Sequence, residues 1–175
     1  SPADRFEVTA CMELAYHSMA PVYLRMGKSD RGDVHIAVPE VRLGSLLAAK
    51  SGKPDNITFI ATGSLVRTAI DMAAANYPDA AVWSAPFIKP IDSQQVTAIC
   101  KQSRVVVVLE EHSVLGGLGS AITEIASEFA PVRILRIGVN DCFSHYCGTY
   151  EYLLKEHGLD RSAIELKIHD FLVAN

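Results

Sequence analysis

The sequence has 175 residues, 49% of them hydrophobic, and its 16 lysines and arginines against 20 aspartates and glutamates give a net charge of −4. This composition excludes a disordered chain and predicts one globular domain with a short additional segment. The acidic balance offers no basic field to a nucleic-acid backbone, and the apolar runs are far shorter than the roughly 20 residues that cross a bilayer. We therefore expect a cytoplasmic protein that binds neither nucleic acid nor membrane.

The N-terminal segment predicts one helix followed by one strand. Asp4 is a candidate N-cap with Glu7 three residues later, and apolar residues then recur at helical spacing. Pro21 ends this helix, and the run PVYLRM predicts a short strand that ends at Arg25. A helix and a strand with nothing before them cannot form a core, so we interpret them as the end of a domain that has been removed.

The character of the sequence changes over residues 28–56, which are rich in glycine, proline and charge and interrupt every regular pattern. The chain also starts with Ser-Pro-Ala and not with methionine, which favours a processed product or a piece of a longer protein. We place a boundary near residue 32. Residues 1–32 are expected to be the end of a truncated domain with its linker, and residues 33–175 a complete domain.

After the boundary, continuous apolar runs alternate with segments of helical spacing, which is typical of βαβ units. The pattern predicts an α/β fold, a small doubly wound and mostly parallel sheet with helices on both faces. Ligands in such folds bind beyond the carboxyl ends of the strands, so a site should lie in the turns after the first three strands. The predicted strands are 57–62, 80–84, 105–110 and 132–137, and the predicted helices are 65–76, 92–101, 118–129, 150–157 and one from about 161.

The glycine-rich turn EEHSVLGGLGSAI after the third predicted strand is the most distinctive motif. Its glycines and the free N–H groups of a helix start could hold an anion, and the turn after the first strand is a second candidate. The alternative is that the glycines serve tight turning and close packing. Their spacing is not the dinucleotide fingerprint and no P-loop lysine follows, which disfavours a free-standing nucleotide-binding protein. The candidate anion-site residues are Gly63, Ser64, Gly116, Gly117, Gly119 and Ser120.

Two acids and a histidine leave the third predicted strand together. Glu110, Glu111 and His112 could act as a general acid and base, or they could fix the loop or form a subunit contact. Consecutive residues of a strand point in alternating directions, so at most one of the two acids faces a given cleft. We favour the structural interpretation, with Glu111 and His112 as candidate interface residues.

The cysteines and the remaining histidines predict no metal site. Cys142 and Cys147 with His145 between them supply only three ligands in one cluster, and no second pair follows. Small buried or half-buried thiols are the simpler interpretation. The histidines outside the glycine-rich turn are scattered and expected to be solvated: His17, His35, His145, His157 and His169.

Arg25 differs from the other basic residues because of its position. It ends the orphan strand, where the sheet of an α/β domain meets ligands, and an arginine can bind a phosphate with two parallel hydrogen bonds. An interface ion pair is the alternative role that the residues alone leave open.

The chain resembles the C-terminal part of transketolases, which use thiamine diphosphate. The resemblance rests on PADxxE, PVYLRMG, ITFIATGS, PFIKPID, EEHSVLGGLGSAI and LLKEHGLD, which occur in this order over almost the whole chain. It is strongest to the C-terminal sections of split transketolases, with 1-deoxyxylulose-5-phosphate synthases and the β subunits of 2-oxo acid dehydrogenases as more distant relatives. The segment DCFSHYCGTY, residues 141–150, departs from the usual turn of the family.

The resemblance implies an enzyme of the pentose phosphate pathway that transfers a two-carbon ketol unit between sugar phosphates. It implies that residues 1 to about 27 end a pyrimidine-binding domain and that Arg25 binds the phosphate of the substrate. Thiamine diphosphate and a divalent metal (Mg) belong to the complete enzyme, and this fragment is expected to bind no cofactor, to contribute no catalytic residue and to be inactive alone. Its expected partners are the N-terminal thiamine-diphosphate-binding part and a second copy in a homodimer.

A binding module is the alternative function. The chain would then serve dimerisation or regulation by an anion in a related enzyme, either a 1-deoxyxylulose-5-phosphate synthase or a 2-oxo acid dehydrogenase β subunit. The sequence leaves this alternative open.

Overall fold

The computed structural model describes residues 1–27 and 31–174, so residues 28–30 of the predicted connector and Asn175 lie outside the described part. None of the described helices is long and apolar enough to cross a membrane. The elements in chain order are α1 (Arg5–Tyr16), β1 (Leu47–Lys50), β2 (Asn56–Ala61), α2 (Leu65–Asn76), β3 (Ala81–Ser84), α3 (Ser93–Lys101), β4 (Ser103–Ser113), α4 (Leu118–Phe129), β5 (Arg133–Val139), α5 (Tyr150–Glu156) and α6 (Arg161–Val173).

Five strands form one sheet in the order β1-β3-β2-β4-β5. The β2–β3, β2–β4 and β4–β5 pairs are parallel, and β1 pairs with β3 in the antiparallel direction. Helices α2, α5 and α6 bury their apolar residues against one face of the sheet, and α3 and α4 against the other. The predicted α/β fold, doubly wound and mostly parallel, is confirmed.

The central strand β4 shows how one apolar run serves both faces. Val105, Val107 and Leu109 belong to the core under α2 and α6, whereas Val106 and Val108 belong to the core under α3 and α4. Successive side chains of a strand point to opposite faces, so a strand covered on both sides must be apolar throughout. This is the physical reason that the unbroken valine run predicts a buried parallel strand.

One strand was absent from the sequence prediction. The segment Leu47–Lys50, within the predicted connector, forms the antiparallel edge strand β1. Its sequence LAAK lacks β-branched and aromatic residues, and it is half-buried to exposed along its whole length. Only the pairing with β3 makes it a strand, and four residues without alternation cannot signal such a pairing.

The strand predicted over PVYLRM is wrong, because residues 21–27 contain no helix or strand in the described structure. Val22, Tyr23 and Met26 are exposed, as an apolar run without a neighbouring strand must be. A strand exists only through hydrogen bonds to a neighbour, and the described residues give this run none. Helix α1 also ends at Tyr16, some residues before the proline.

The N-cap of α1 also joins the helix to the domain. Asp4 accepts a hydrogen bond from the N–H of Glu7 at 2.8 Å, as predicted for an N-cap. Its second carboxylate oxygen accepts from the N–H groups of Val34 at 2.8 Å and His35 at 2.7 Å. One buried carboxylate therefore holds the start of α1 and the chain beyond residue 32 together, while the domain boundary itself stays a prediction.

Ser1 connects the start of the chain to the sheet. The ammonium group of Ser1 donates to the carbonyl of Pro86 at 2.7 Å, and the carbonyl of Ser1 accepts from the N–H of Gly63 at 3.1 Å and the hydroxyl of Thr62 at 3.0 Å. The start of the chain thus lies across the carboxyl ends of β2 and β3. This is the edge at which an α/β sheet meets ligands.

Candidate functional site

The residues predicted to be functional meet at the carboxyl edge of the sheet, beyond the end of β4. The β4–β5 register shifts between Leu109 and Ser113, so residues 110–112 form an irregularity in the ladder. Such irregularities redirect side chains at strand ends. Glu110 and Glu111 leave the strand towards opposite faces, because successive side chains of a strand alternate in direction.

Glu110 turns to the face of α3 and α4, where its carboxylate caps α4. It is 2% exposed and accepts hydrogen bonds from the N–H groups of Leu118 at 2.7 Å and Gly119 at 2.8 Å. The first N–H groups of a helix have no partner within the helix, and a negative charge there is favourable. The cap residue itself, Gly117, has no side chain to supply this bond.

The glycines of the turn create the space for this carboxylate. A Cβ atom at Gly117 would lie 2.0 Å from Oε2 of Glu110, and one at Gly119 would lie 3.1 Å from Oε1. A Cβ at Gly138 of β5 would lie 3.2 Å from Cγ of the same glutamate. Close packing against Glu110 accounts for Gly117, whereas a Cβ at Gly138 would lie nearest the carbonyl of His112, at 2.6 Å, and one at Gly119 nearest the side chain of Arg136, at 3.0 Å.

The hydrogen bonds of the turn argue against an anion site over Gly116 to Ser120, which stays a prediction. Two donors of the helix start, the N–H groups of Leu118 and Gly119, are already bound to Glu110, and the N–H of Gly116 donates to Oγ of Ser120 at 3.0 Å. An external anion would have to displace a buried carboxylate of like charge. The sequence could not show that these donors are taken, because it does not reveal that the side chain of Glu110 binds the N–H of Leu118, eight residues later in the chain.

Glu111 turns to the opposite face and joins a cluster of hydroxyl groups at the start of α2. Its Oε1 atom accepts hydrogen bonds from Oγ of Ser64 and from the hydroxyl of Tyr150, and these two hydroxyl oxygens are 2.8 Å apart. Burial and the bond to Glu111 raise the pKa of Tyr150 to about 12. Tyr150 therefore acts as a neutral donor at physiological pH.

At the second proposed anion turn, Gly63-Ser64, a carboxylate binds the hydroxyl of Ser64. Ser64 holds the N-cap position of α2, yet its side chain makes no cap bond and points to Glu111 and Tyr150. Gly63 has a φ of 60°, and its N–H donates to the carbonyl of Ser1. The carboxylate of Glu111 thus stands where the anion hypothesis places its ligand.

Arg25 lies at this cluster although its predicted strand is absent. Its Nη2 atom donates to the backbone carbonyl of Glu111 at 3.0 Å, and its side chain is exposed. An exposed guanidinium at the carboxyl edge of the sheet can present its remaining N–H groups to a phosphate or carboxylate. His112 is exposed and hydrogen bonds to no described member of the cluster.

Two residues of this site were not singled out from the sequence. Tyr150 is the first residue of α5, and the guanidinium carbon of Arg31 lies 5.8 Å from the centre of its ring. Tyr150 is distant in sequence from both Ser64 and Glu111, so no local pattern connects them. The family departure at residues 141–150 drew attention to this loop but not to its last residue.

A buried polar cluster beneath α1 was also missed. Glu7 is 0% exposed, and burial raises the pKa of its carboxyl group. Its Oε2 accepts from the N–H of Ala3 at 2.7 Å, while its Oε1, Nε2 of His35 and Oγ of Ser84 are buried without a hydrogen-bond partner. The side chain of His35 is only 14% exposed, which contradicts its expected solvation.

Asp4 beside this cluster remains ionised. Burial works to raise its pKa, but the backbone N–H groups of Glu7, His35 and Val34 donate to it and together hold the pKa below its ordinary value. Neighbouring carboxylates on one helix end thus have pKa values displaced in opposite directions. The pKa values differ because three backbone N–H groups donate to Asp4, whereas only one donates to Glu7.

The cysteines form two classes. Cys11 and Cys100 are buried, and burial raises the pKa of each thiol to about 11, whereas Cys142 and Cys147 are exposed. Within residues 1–27 and 31–174, no group of three or more histidine, cysteine, aspartate or glutamate side chains is arranged to hold a metal ion.

The chain is similar to the C-terminal parts of several known proteins. The family model of the transketolase C-terminal domain matches residues 48–164. A protein of Methanocaldococcus jannaschii named as a transketolase C-terminal section is 33% identical over 96% of this chain and 53% of its own length. A 1-deoxy-D-xylulose-5-phosphate synthase of Cupriavidus necator is 31% identical over 97% of this chain and 27% of its own length.

A solved structure shares the architecture. The chain of a split-gene transketolase, described as an inactive β4 tetramer, superposes with a TM-score of 0.89 at 32% identity, covering 98% of this chain and 56% of that one. The present chain therefore spans about half the length of relatives such as the archaeal protein.

Proposed function

The chain belongs to the transketolase family, whose C-terminal domain it contains, and from this premise we propose that it is the C-terminal part of an enzyme that transfers a two-carbon ketol unit between sugar phosphates. Residues 1–32 would then end the preceding pyrimidine-binding domain, and residues 33–175 would form the C-terminal domain. The observation that carries the proposal is the position of Arg25, exposed at the carboxyl edge of the sheet and held by the carbonyl of Glu111.

In this proposal Arg25 anchors the phosphate of the substrate. Its bond to a backbone carbonyl leaves its charge without a carboxylate partner in the described part of the chain, so the charge is available to a dianionic phosphate. Binding energy from a remote phosphate can orient the reacting end of a sugar. The residue positions the substrate and takes no part in bond making.

The chemistry of the complete enzyme would come from thiamine diphosphate with a divalent metal ion such as Mg²⁺, which stabilise a carbanion. The described residues do not suit either group, because their acidic and histidine side chains form no metal-binding cluster, Glu110 caps the start of α4, and Glu111 binds the hydroxyl of Ser64 beside the start of α2. We therefore assign cofactor binding to the N-terminal part of the complete enzyme.

The chain would work in the cytoplasm, in the pentose phosphate pathway, as a subunit bound to the N-terminal thiamine-diphosphate-binding part. A solved relative assembles as a β4 tetramer and is described as inactive, which supports self-association and inactivity of the isolated chain. We propose a homodimer as the unit of assembly, with Glu111 and His112 near the contact. The exposed His112 beside the strand end is compatible with that position.

Reconstitution tests this function directly. The chain would be expressed alone and together with the polypeptide encoded immediately upstream, and each preparation would be assayed for ketol transfer between phosphorylated sugars. We expect activity only from the combined preparation, and no binding of thiamine diphosphate to the isolated chain by calorimetry. Micromolar cofactor binding to the isolated chain, or activity without the upstream part, contradicts the proposal.

A second candidate function is supported by the relatives named 1-deoxy-D-xylulose-5-phosphate synthase, which are about as similar to this chain as the transketolase relatives. Their reaction class is related but gives a different product. The reconstituted preparation should therefore also be tested for formation of 1-deoxyxylulose 5-phosphate. Formation of that product in place of ketol transfer would select the second candidate.

A further inference from the structure

We propose that Tyr150 and Ser64 are positioning residues that keep Arg25 available for phosphate by holding the carboxylate of Glu111 away from it. The inference rests on the proposed role of Arg25 as a phosphate anchor. It adds residues on α5 and at the start of α2 to the determinants of phosphate specificity.

Glu111 binds Arg25 with its backbone and the two hydroxyl groups with its side chain. Glu111 offers its backbone carbonyl to Nη2 of Arg25 at 3.0 Å, while its side-chain Oε1 accepts from Ser64 and Tyr150. The guanidinium is thus fixed by a neutral acceptor. The carboxylate of the same residue is bound by two hydroxyl groups on the face of α2.

This separation matters because a free carboxylate next to Arg25 would compete with the ligand. Arginine and carboxylate form charge-assisted pairs with two parallel hydrogen bonds, the same geometry that arginine uses for phosphate. Within residues 1–27 and 31–174, Arg25 makes no ion pair, although an acidic side chain belongs to the very residue that holds it. The hydroxyl cluster explains how the two charges stay apart.

The backbone at this point does not hold the side chain by itself. Residues 110–112 lie in the irregularity of the β4–β5 ladder, between the paired positions Leu109 and Ser113. A strand residue outside a regular ladder loses the pairing that fixes its orientation. The bonds to Ser64 and Tyr150 therefore determine where the Glu111 carboxylate lies once its side chain has left the strand.

Tyr150 is suited to this task. It is half-buried, it remains a neutral donor at physiological pH, and its ring lies 5.8 Å from the guanidinium carbon of Arg31. The contact with Arg31 holds the ring independently of the hydroxyl. Tyr150→Phe consequently removes the hydrogen bond and leaves the packing in place.

The experiment uses the reconstituted enzyme and compares a phosphorylated with an unphosphorylated acceptor sugar. Tyr150→Phe should raise KM for the phosphorylated acceptor about three- to tenfold, the scale of one hydrogen bond, with little change for the unphosphorylated acceptor. Ser64→Ala should act in the same direction. Tyr152→Phe, an exposed tyrosine on the same helix, is the matched control and should behave as the parent enzyme.

Two double variants separate positioning from a merely structural role. In an Arg25→Ala background, Tyr150→Phe should have no further effect on KM, because its target is gone. Combining Tyr150→Phe with Glu111→Gln should restore the low KM, because a neutral amide does not pair with the guanidinium. Inorganic phosphate as a competitive inhibitor gives an independent measure, and its inhibition constant should change in parallel.

The outcomes are distinguishable. If Arg25→Ala leaves the preference for phosphorylated acceptors unchanged, the role of Arg25 in the proposed function is wrong. If Arg25→Ala abolishes the preference but Tyr150→Phe and Ser64→Ala do not reduce it, only the present inference is overturned. Equal loss for both acceptors, or no rescue by Glu111→Gln, also overturns it and leaves Tyr150 with a structural role.

Discussion

The carboxylate of Glu110 lies so close to Gly117 that a Cβ atom at that glycine would stand 2.0 Å from its Oε2 atom. The acid and the glycine therefore form one unit, in which the missing side chain makes room for a buried charge that caps α4. A glycine-rich turn beyond a strand invites a ligand interpretation. In this turn the ligand of the helix start is the protein itself.

Gly117→Ala should destabilise the protein by displacing Glu110. Overpacking of a buried site costs about 1–3 kcal/mol, and disturbed bonds to a charged group add to it. We expect a loss of about 2 kcal/mol or more in the free energy of unfolding, measured by urea denaturation. Gly27→Ala is the control, because nothing lies within 4 Å of a Cβ atom there. A loss for Gly117→Ala no larger than that of the control would contradict the contact.

Glu110→Gln should weaken α4 while leaving the volume unchanged. An amide has one acceptor oxygen in place of two and carries no charge to interact with the helix start, so its NH₂ group would face the N–H of Leu118 or Gly119. We expect a loss of about 1.5–3 kcal/mol in stability by urea denaturation. The control is Glu124→Gln, an exposed glutamate on the same helix, which should change stability by no more than about 0.5 kcal/mol. Equal effects of the two substitutions would argue against capping by Glu110.

The buried Glu7 should give the protein a distinctive pH dependence. Burial raises the pKa of Glu7 above the ordinary 4.5. Between pH 4.5 and the pKa of the native state, the folded protein therefore keeps a proton on Glu7 that the unfolded chain has lost. Stability from this group is complete below pH 4.5 and decreases as pH rises through the native pKa, with a slope of at most about 1.4 kcal/mol per pH unit.

Glu7→Gln should remove that slope, because the amide does not titrate. Urea denaturation of both proteins over a pH series above 4.5 measures the difference, and the variant should gain on the parent as pH rises. Glu13→Gln, an exposed position on the same helix, should leave the slope unchanged. Parallel curves for parent and Glu7→Gln would show that Glu7 carries its charge in both states.

Thiol titration should separate the cysteines into two pairs. At pH 8, a thiol with a pKa of about 11 is about one part in a thousand thiolate, so Cys11 and Cys100 should react slowly with an aromatic disulfide reagent. Cys142 and Cys147 are exposed and should react in the fast phase. Replacing Cys142 and Cys147 by serine should abolish the fast phase. In guanidinium, all four thiols of the parent protein should react. A fast phase that survives the double replacement would mean that α1 or α3 opens readily.

Arg25→Ala in the reconstituted enzyme should raise KM for phosphorylated acceptors by about tenfold or more, the scale of a lost charge-assisted contact, and should hardly affect unphosphorylated ones. Arg25→Lys should be intermediate, because an ammonium keeps the charge but not the forked geometry. Steady-state kinetics with both acceptor classes provides the measurement. The same increase for both acceptors would remove the assigned role.

Much of the architecture could be predicted because it depends on local signals. The valine run of β4 predicts a strand covered on both faces, and Asp4 caps the helix that the sequence assigns to it. That Glu110 and Glu111 leave β4 towards opposite faces follows from strand geometry, whereas the hydroxyl groups that bind Glu111 do not. Prediction failed where an element is defined by its neighbour: LAAK becomes a strand by pairing with β3, and PVYLRM remains unpaired.

The sequence by itself determined the alternation of strands and helices, the edge of the sheet where the site lies and the candidacy of Arg25, because periodicity, capping and charge act over a few residues. Only the tertiary structure decided what fills that edge. Hydrogen bonds between Glu111, Ser64 and Tyr150 join residues far apart in the chain, and the return of Glu110 onto its own turn depends on three-dimensional packing. In both turns that the sequence offers to an anion, a carboxylate of the chain itself is bound: Glu110 accepts from the start of α4, and Glu111 accepts from Ser64. The physical reason is that buried donors must find acceptors.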